Sequence, residues 1–349
     1  MSRLALSLVL LTVGIASLGL KVNADGRASD DFMYPSQDDI VALFARNGFA
    51  VESAPPNTDP QWVTGTRGGC RMQIANVSDR LVTFVGGATV DVAEASGGRF
   101  GPDPMSVWAD WDAFVAWGGS IGASGPPAEL DDGIVGPPVP RPAQVFAIGL
   151  NYRAHALEGP FGIPDQPAVF TKWPACLSGP RDAVTVPTAT TDYEVELVFA
   201  IARRAYRVRR DDAWSYVAGY TIGQDLSERT MQRAGPAPQF GLGKSWAGFG
   251  PTGPALVTLD EVPDRHDLRL STTIDGETLQ DSRTSDLIFD VAFLVEHLSA
   301  VLPLQAGDLV FTGTPSGVGA ARTPPRFLRA GETILSRIDG LGELRTRLV

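Results

Sequence analysis

The chain has 349 residues, with 29 Lys and Arg against 40 Asp and Glu, a formal charge of −11 and an isoelectric point near 4.8. That acidity leaves no general attraction for phosphate backbones and argues against nucleic-acid binding, while 44% hydrophobic and 20% charged residues mark a globular chain rather than a disordered one. Cys70 and Cys176 make no framework of disulfides, and His155, His266 and His297 show no zinc-ligand spacing, so a metal site must rest on oxygen ligands with at most one histidine.

Residues 1–24 read as a secretory signal or anchor: Arg3 precedes an uncharged apolar run, Leu4–Leu20, and Val22-Asn23-Ala24 supplies small residues for a peptidase. The run is slightly shorter than the ~20 residues a membrane span needs. Residues 25–70 are polar, with one amphipathic helix expected at Asp38–Asn47 (Ile40, Val41 and Phe44 on one side), and read as an extension or linker because so short a piece buries little core. Residues 71–142 read as a small N-terminal domain. Its expected elements are short strands at Met72–Ala75, Leu81–Phe84 and Thr89–Val92, then a helix at Pro104–Trp117 with Val107, Trp108, Trp111 and Phe114 on one face. The Gly-, Pro- and acid-rich stretch Gly122–Pro142 marks its boundary.

Residues 143–349 form the larger unit. Strands are expected at Val145–Leu150, Asp192–Ile201, Tyr216–Ile222, Ala255–Thr258, Leu268–Ile274 and Leu309–Thr312, with one long helix, Ser285–Leu302, burying Leu287, Ile288, Val291, Leu294, Val295 and Leu298. Many strands and few helices predict a β-dominated α+β fold and not a doubly wound sheet.

Three motifs fail on context. Gly248-x-Gly250-x-x-Gly253 spells a dinucleotide fingerprint, but Pro251 and Pro254 interrupt it and an apolar β run follows where a helix is required. Gly243-Lys244-Ser245 resembles the end of a P-loop, yet Pro238 replaces the glycine that would open the phosphate cradle. Gly118-x-Ser120-x-Gly122 matches a nucleophile elbow but follows a helix instead of a strand.

The carboxylates carry more chemistry. Glu194 and Glu196 lie two apart in an alternating strand, so they share a face about 7 Å apart at ~3.3 Å rise per residue. Two like charges beside Val198 and Ala200 fit either a solvated edge strand or a hard divalent cation held by oxygens. Asp225, closing the next strand, is either the N-cap of a helix Leu226–Met231 or a third ligand. His155 and Glu158, three apart, meet on a helical turn, where the carboxylate would fix the imidazole tautomer and raise its basicity. Such a pair is either a surface contact or a general base for water. His266 reads as a turn residue and His297 as a surface position on the long helix.

In order along the chain stand Ile148-Gly-Leu-Asn-Tyr-Arg-Ala-His155-Ala-Leu-Glu158, Phe170-Thr-Lys172, Asp192-Tyr-Glu194-Val-Glu196-Leu, Gly219-Tyr-Thr-Ile-Gly-Gln-Asp225-Leu-Ser-Glu-Arg229, Gly243-Lys244-Ser and Gly307-Asp-Leu-Val-Phe-Thr-Gly313-Thr314-Pro315 with Gly317-Val-Gly319. On these motifs the chain resembles the fumarylacetoacetate hydrolase family over about Ala143–Val349, and more weakly over a small N-terminal β domain from Arg71. The resemblance implies a rolled mixed β-sandwich catalytic domain, fumarylacetoacetase-like, in a homodimer. It places metal ligands at Glu194, Glu196 and Asp225 for Mg²⁺ or Mn²⁺, with Ca²⁺ a third candidate. It places a His155–Glu158 dyad, an active-site lysine at Lys244, and substrate contacts at Arg229, Gln232 and Thr314. The extra Asp ligand of the larger members has no counterpart, since Phe146–Leu150 holds no acid.

The implied activity is metal-dependent hydrolysis of a C–C bond in a small diketo acid such as an acylpyruvate or fumarylacetoacetate-like compound, through a metal-stabilised enolate. Oxaloacetate-type decarboxylation, 2-hydroxymuconate-type isomerisation and sugar-acid dehydration are alternatives on the same residues. A non-catalytic exported or tethered scaffold is the alternative of a different class. The family's metabolic substrates point to the cytoplasm and residues 1–24 point away from it, with a membrane involved only through that segment.

Overall fold

One strand, Val195–Ile201, organises the architecture, because all seven of its residues are buried. The computed structural model describes residues 72–123, 135–158 and 162–349. The expected signal segment, the 25–70 extension with its Asp38–Asn47 helix, and Cys70 lie outside the described residues. In chain order the strands of three or more residues are β1 Gln73–Val77, β2 Arg80–Val85, β3 Ala88–Asp91, β4 Val145–Gly149, β5 Ala168–Thr171, β6 Val195–Ile201, β7 Val217–Gln224, β8 Gly250–Thr258, β9 Arg269–Ile274, β10 Glu277–Arg283, β11 Leu309–Phe311, β12 Thr333–Ile338 and β13 Gly342–Leu348.

The larger sheet runs β3-β2-β1-β8-β7-β6-β11-β4-β5, with two-residue strands Val135–Gly136 beside β1 and Leu177–Ser178 beside β8. It is mixed: β6 is antiparallel to both β7 and β11, and β11 is parallel to β4. The second sheet runs β10-β9-β12-β13 with Ala183–Val184 at its edge. Mixed sheets with few helices are the β-dominated α+β sandwich expected.

Alternation along β6 explains why the sheet is covered on both sides. Val195, Leu197, Phe199 and Ile201 join Tyr220 and Ile222 of β7 in a core with Leu270, Ile338 and the helix Val291–Val301. Val198 and Ala200 join Ala147, Phe311, Trp108, Trp111, Phe114 and Trp117 in a second core. Glu194 and Glu196 therefore do not sit on a solvated edge strand; β6 is paired on both sides and buried on both faces.

Two expected helices are shorter than their apolar periodicity suggests. Pro104–Trp117 divides into a 3₁₀ turn, Ser106–Ala109, and the helix α1, Trp111–Ser120. Asp110, at φ −149° and ψ 73°, breaks the run and caps α1 by accepting from the Ala113 N–H at 3.0 Å. The apolar stripe survives the break, because Trp108 stacks on Trp111 at 4.8 Å. Ser285–Leu302 opens in a 3₁₀ turn, Thr284–Asp286, and is α-helical only over Val291–Val301, where Asp290 accepts from the Phe293 N–H at 2.8 Å as N-cap. Leu287 instead bridges Tyr152, and the Ile288 N–H donates to the Asn151 carbonyl at 2.8 Å, so this stretch is tied to the segment after β4. Strands β5, β10, β12 and β13 stand beyond the expected set: β5 is only four residues, and in β10, β12 and β13 interspersed charged and threonine residues dilute the apolar alternation. Among the described residues no helix is long and apolar enough to cross a membrane, and Cys176 is a buried free thiol.

Close packing of β7 against β8 depends on Gly219, where an added Cβ would lie 2.3 Å from the Val257 carbonyl oxygen. Gly219→Ala is expected to destabilise the protein by about 1–3 kcal/mol, as overpacking does, measured as a lower urea midpoint at unchanged slope.

Candidate active site

The strand directions bring several chain ends together. The C-terminal ends of β4, β11 and β7 and the N-terminal end of β6 lie at one end of the sheet, as their registers require. Glu194 immediately precedes β6, Glu196 is its second residue, and Asp225 immediately follows β7. The Asp225 N–H donates to the Glu194 carbonyl at 2.9 Å and locks the two segments side by side. All three carboxylates are buried, with ligand oxygens within 4.8 Å of one another. Asp225 does not cap a helix: the turn α3, Arg229–Gln232 (the helix Arg153–Ala156 being α2), is capped by Glu228, whose carboxylate accepts from the Thr230 and Met231 N–H groups.

Side chains bonded between the two sheets aim this strand end. Gln224 Oε1 accepts from the Glu194 N–H at 2.9 Å while its Nε2 donates to Ser336 Oγ at 2.9 Å. Gln280 of β10 accepts from the Val195 N–H at 3.1 Å and donates to Thr314 Oγ1 at 2.8 Å, and Thr314 Oγ1 donates to the Val195 carbonyl at 2.9 Å. The Thr314 hydroxyl thus faces the core network. Gly313 sits at φ +101° against Asn151, where an added Cβ would lie 2.8 Å from the Asn151 Cβ, and its N–H donates to Glu196 Oε2 at 2.7 Å.

Three buried cations thread the cluster. Lys244 Nζ, just after the turn α4 (Phe240–Gly243), donates to Glu194 Oε2 at 2.6 Å and Asp225 Oδ2 at 2.7 Å. Lys172 Nζ donates to Asp225 Oδ1 at 2.7 Å and to the Lys244 and Phe249 carbonyls. Arg229 pairs with Asp192 and Glu194, each at 2.7 Å, and donates to Gln232 Oε1 at 3.0 Å. Burial works against charge on Glu194, but Lys244, Arg229 and then His155 outweigh it and hold its carboxyl at about 2. Glu196 goes the other way: burial, then the charges of Asp225 and Glu194, push its carboxyl well above the usual range. Burial works against charge on Lys244 as well, yet Asp225 and Glu194 raise its pKa.

His155, on the single-turn helix α2, places Nδ1 2.8 Å from Glu158 Oε2, and Glu158 Oε1 accepts from the Gly317 N–H at 2.8 Å. The pair is a partly exposed contact fastened to a loop of the β11 side rather than a loose surface pair. A carboxylate at Nδ1 leaves Nε2 as the free, basic nitrogen. His155 also lies near enough for its charge to act on Glu194. His266 lies edge-on to Trp214 and His297 stacks on Phe293, both apart from this cluster.

The structure therefore brings Glu194, Glu196, Asp225, Lys244, Arg229 and Gln232 into one network, with His155 and Glu158 beside it and Thr314 behind it. Four further residues carry weight that the sequence reading left unassigned. Lys172 is a lone charge within the apolar run Val169-Phe170-Thr171-Lys172-Trp173, which was a readable signal. Asp192 extends the two-residue spacing of Glu194 and Glu196 back by one step, and it accepts from Arg229 and from the Gly319 and Ala320 N–H groups. Gln280 and Asn151 gave no signal; Asn151 donates to the Phe289 and Thr312 carbonyls and accepts from the Phe289 N–H.

Three converging carboxylates form a hard-oxygen donor set suited to Mg²⁺, Mn²⁺ or Ca²⁺. Asp192, Glu194, Glu196 and Asp225 meet three buried cations (Lys172, Lys244, Arg229), while Glu228, also buried, is satisfied by Thr188, Thr190 and the first N–H groups of α3. The unbalanced acid is Glu196, which is ion-paired to none of them. A divalent cation fits this deficit.

Residues 144–349 match the family described as fumarylacetoacetate (FAA) hydrolase, C-terminal. The chain is 37% identical over 214 residues to the mitochondrial oxaloacetate tautomerase FAHD2A of Bos taurus, covering 61% of this chain and 68% of that one. The crystal structure of an HpcE-designated protein from Mycobacterium smegmatis superposes with a TM-score of 0.76 at 48% identity, over 80% of this chain and 99% of that one. Maleylpyruvate hydrolase from Sphingobium sp. SYK-6, solved in complex with manganese(II) and pyruvate, gives a TM-score of 0.64 at 27% identity, again over 80% of this chain and 99% of that one.

Opposite shifts at Glu194 and Glu196 predict opposite mutational signs. A carboxyl depressed on folding contributes stability above its unfolded pKa, near 4.5, that is lost as pH falls through about 2; a raised carboxyl costs stability above 4.5. In chelator at pH 7, Glu194→Gln should therefore lower stability by about 3–5 kcal/mol, the scale for breaking a buried ion pair. Glu196→Gln should raise stability, with the gain shrinking as pH approaches 4.5. Urea unfolding at the two pH values checks both signs.

Proposed function

The chain belongs to the fumarylacetoacetate hydrolase family, and from that premise we propose that it is a divalent-metal-dependent hydrolase cleaving a carbon–carbon bond in a small diketo acid of the acylpyruvate kind. The observation that carries this reading is the meeting of two units at one sheet end: a buried triad of carboxylates with one acid unbalanced, and a His–Glu dyad fastened beside it.

Glu194, Glu196 and Asp225 would hold the cation. A cation there supplies Lewis-acid polarisation of the oxygens of a 2-oxo acid. His155, with Nδ1 engaged by Glu158, takes a proton from water at Nε2, and the water oxygen adds to the acyl carbonyl carbon of the substrate. The bond between that carbon and the adjacent methylene then breaks. Its electron pair becomes the enolate of the departing 2-oxo acid, which is protonated to the methyl ketone, while the acyl part leaves as a carboxylic acid. Lys244 uses two ammonium protons on Glu194 and Asp225, and its third is the donor available to the developing negative charge. Arg229 and Gln232 hold the wall from which the substrate carboxylate is oriented. A homodimer of such units belongs to the same proposal.

A second reading is enol–keto interconversion of oxaloacetate, favoured by the name of the bovine relative at 37% identity. There the same imidazole would move a proton at carbon and no bond between carbons would break.

In the manganese-loaded protein, His155→Gln is expected to lower kcat on acylpyruvates by about 10²–10⁴-fold, the usual contribution of a general base. The same variant should keep the thermal shift that Mn²⁺ confers, whereas Glu196→Ala should abolish both shift and turnover. Product analysis separates the readings: pyruvate plus a carboxylic acid marks hydrolysis, and loss of enol absorbance without new products marks tautomerisation.

A further inference from the structure

We propose that Asp192 and Tyr193 are positioning residues for the His155–Glu158 dyad, so that one segment, Asp192–Glu194, sets both the carboxylate cluster and the place of the general base. This deepens the proposed hydrolase chemistry and rests on it.

The dyad cannot hold its own place. α2 is a single turn of four residues, and a helix so short has no stability of its own. Its start is tied to the stretch before the helix Val291–Val301: the Ala154 N–H donates to Asp286 Oδ2 at 3.2 Å and Arg153 donates to the Leu287 carbonyl at 2.9 Å. Its end is tied through Glu158. One oxygen of that carboxylate accepts from the Gly317 N–H at 2.8 Å, and the other stands 2.8 Å from His155 Nδ1. The position of Gly317 therefore decides where the imidazole stands.

Two consecutive residues hold the turn to which Gly317 belongs. Tyr193 is buried, and its hydroxyl donates to the Gly317 carbonyl at 3.0 Å, an acceptor shared with Arg322 Nε at 3.2 Å. Asp192 is buried as well, and both its oxygens are engaged. Oδ1 accepts from the Tyr193 and Gly319 N–H groups, each at 2.8 Å; Oδ2 accepts from the Ala320 N–H at 2.9 Å and from Arg229 Nε at 2.8 Å. An added Cβ at Gly319 would lie 2.5 Å from Asp192 Oδ1, so the turn approaches this carboxylate as only glycine permits. Bonds to an ionised acceptor are roughly twice as strong as neutral ones, which makes Asp192 a firm anchor. Arg229 closes the link to the cluster, since it also pairs with Glu194 at 2.7 Å. A continuous path then runs from Glu194 through Arg229, Asp192, the Gly317–Ala320 turn and Glu158 to His155. A general base must stand within hydrogen-bond reach of the water it deprotonates. An anchor shared with the carboxylates keeps that reach fixed relative to them.

The test uses the full-length manganese-loaded protein with acetylpyruvate as the probe. It reads kcat and KM, and it follows the imidazole Nδ1–H resonance of His155 by NMR, identified among three histidines by its loss in His155→Gln. Asp192→Asn should lower kcat by about 10²-fold, the scale of a small misplacement of a reacting group. Tyr193→Phe should lower it by about fivefold, the scale of one hydrogen bond, with KM and Mn²⁺ affinity unchanged; it keeps the test intact if Asp192→Asn unfolds. Both variants should displace or broaden the His155 resonance. In a Glu158→Ala background, where the link is already cut, neither substitution should lower kcat further, because residues acting through one contact are not additive. Losses that add to that of Glu158→Ala, or a His155 resonance unmoved in both variants, overturn the inference and leave the hydrolase reading intact. Displaced resonances in a protein whose wild type does not cleave the probe overturn the hydrolase reading and leave the positioning role standing.

Discussion

A surplus of buried negative charge at the start of one central strand is the constraint from which the rest of the site follows. At an effective dielectric of about 20, opposite charges 4 Å apart attract by about 4 kcal/mol, while the desolvation penalty is several kcal/mol per ion. Glu194, with Lys244 and Arg229 both within 2.7 Å, comes out ahead on this balance; Glu196, whose protein partner is a neutral N–H, does not. Burying Glu196 therefore makes sense as a poised ligand more than as a structural device. The lysines and the arginine offset most of that charge, and one divalent cation on the triad would offset the rest.

Such a cluster needs aim as well as compensation, and contacts between the sheets supply it. Gln224, beside Val195 in the larger sheet, holds the Glu194 amide and is itself fixed by Ser336 of the second sheet, while Gln280 reaches across to the Val195 amide, so the carboxylates project from a fixed backbone. Thr314 joins the same network from the turn that follows β11. Its hydroxyl is already engaged on both sides, so a role in holding substrate would fall on its backbone and on the neighbouring Gly-rich turn. Asn151 links that turn to the entry of the helix Val291–Val301, which explains why the stretch before the helix is extended rather than helical. The sandwich thus does more than bury apolar area: it makes the positions of the ligands interdependent.

How much of this could be read from the sequence depended on the range of the interaction. The buried strand β6, its two glutamates and the His–Glu turn depend on spacings of two and three residues, and these are visible in any window of ten. Asp192 belonged to the same period and was readable, as was Lys172, a charge inside an apolar run. Gln280 and Asn151 were not readable, because their partners lie 85 and 138 residues away and a lone amide has no pattern. The helix limits misled for a local reason. Leu287 and Ile288 continue an apolar period that Asp290 ends, since an aspartate that can accept from the N–H three residues on caps more readily than it continues. The edge-strand alternative for β6 could be settled only by the sheet order, which periodicity does not encode.

The carboxylate cluster and the His–Glu pair rest on different supports. The carboxylates and their lysines are built into sheet ends, fully buried and cross-linked from both sides. His155 and Glu158 ride on one helical turn, fastened through the Gly317 N–H and the Tyr152–Leu287 bridge, and they keep partial exposure. Small changes in that turn would shift the imidazole without disturbing the cluster. A family whose relatives include an oxaloacetate tautomerase and a maleylpyruvate hydrolase fits this division. The carboxylate triad is a buried cradle whose charge deficit a divalent cation would meet.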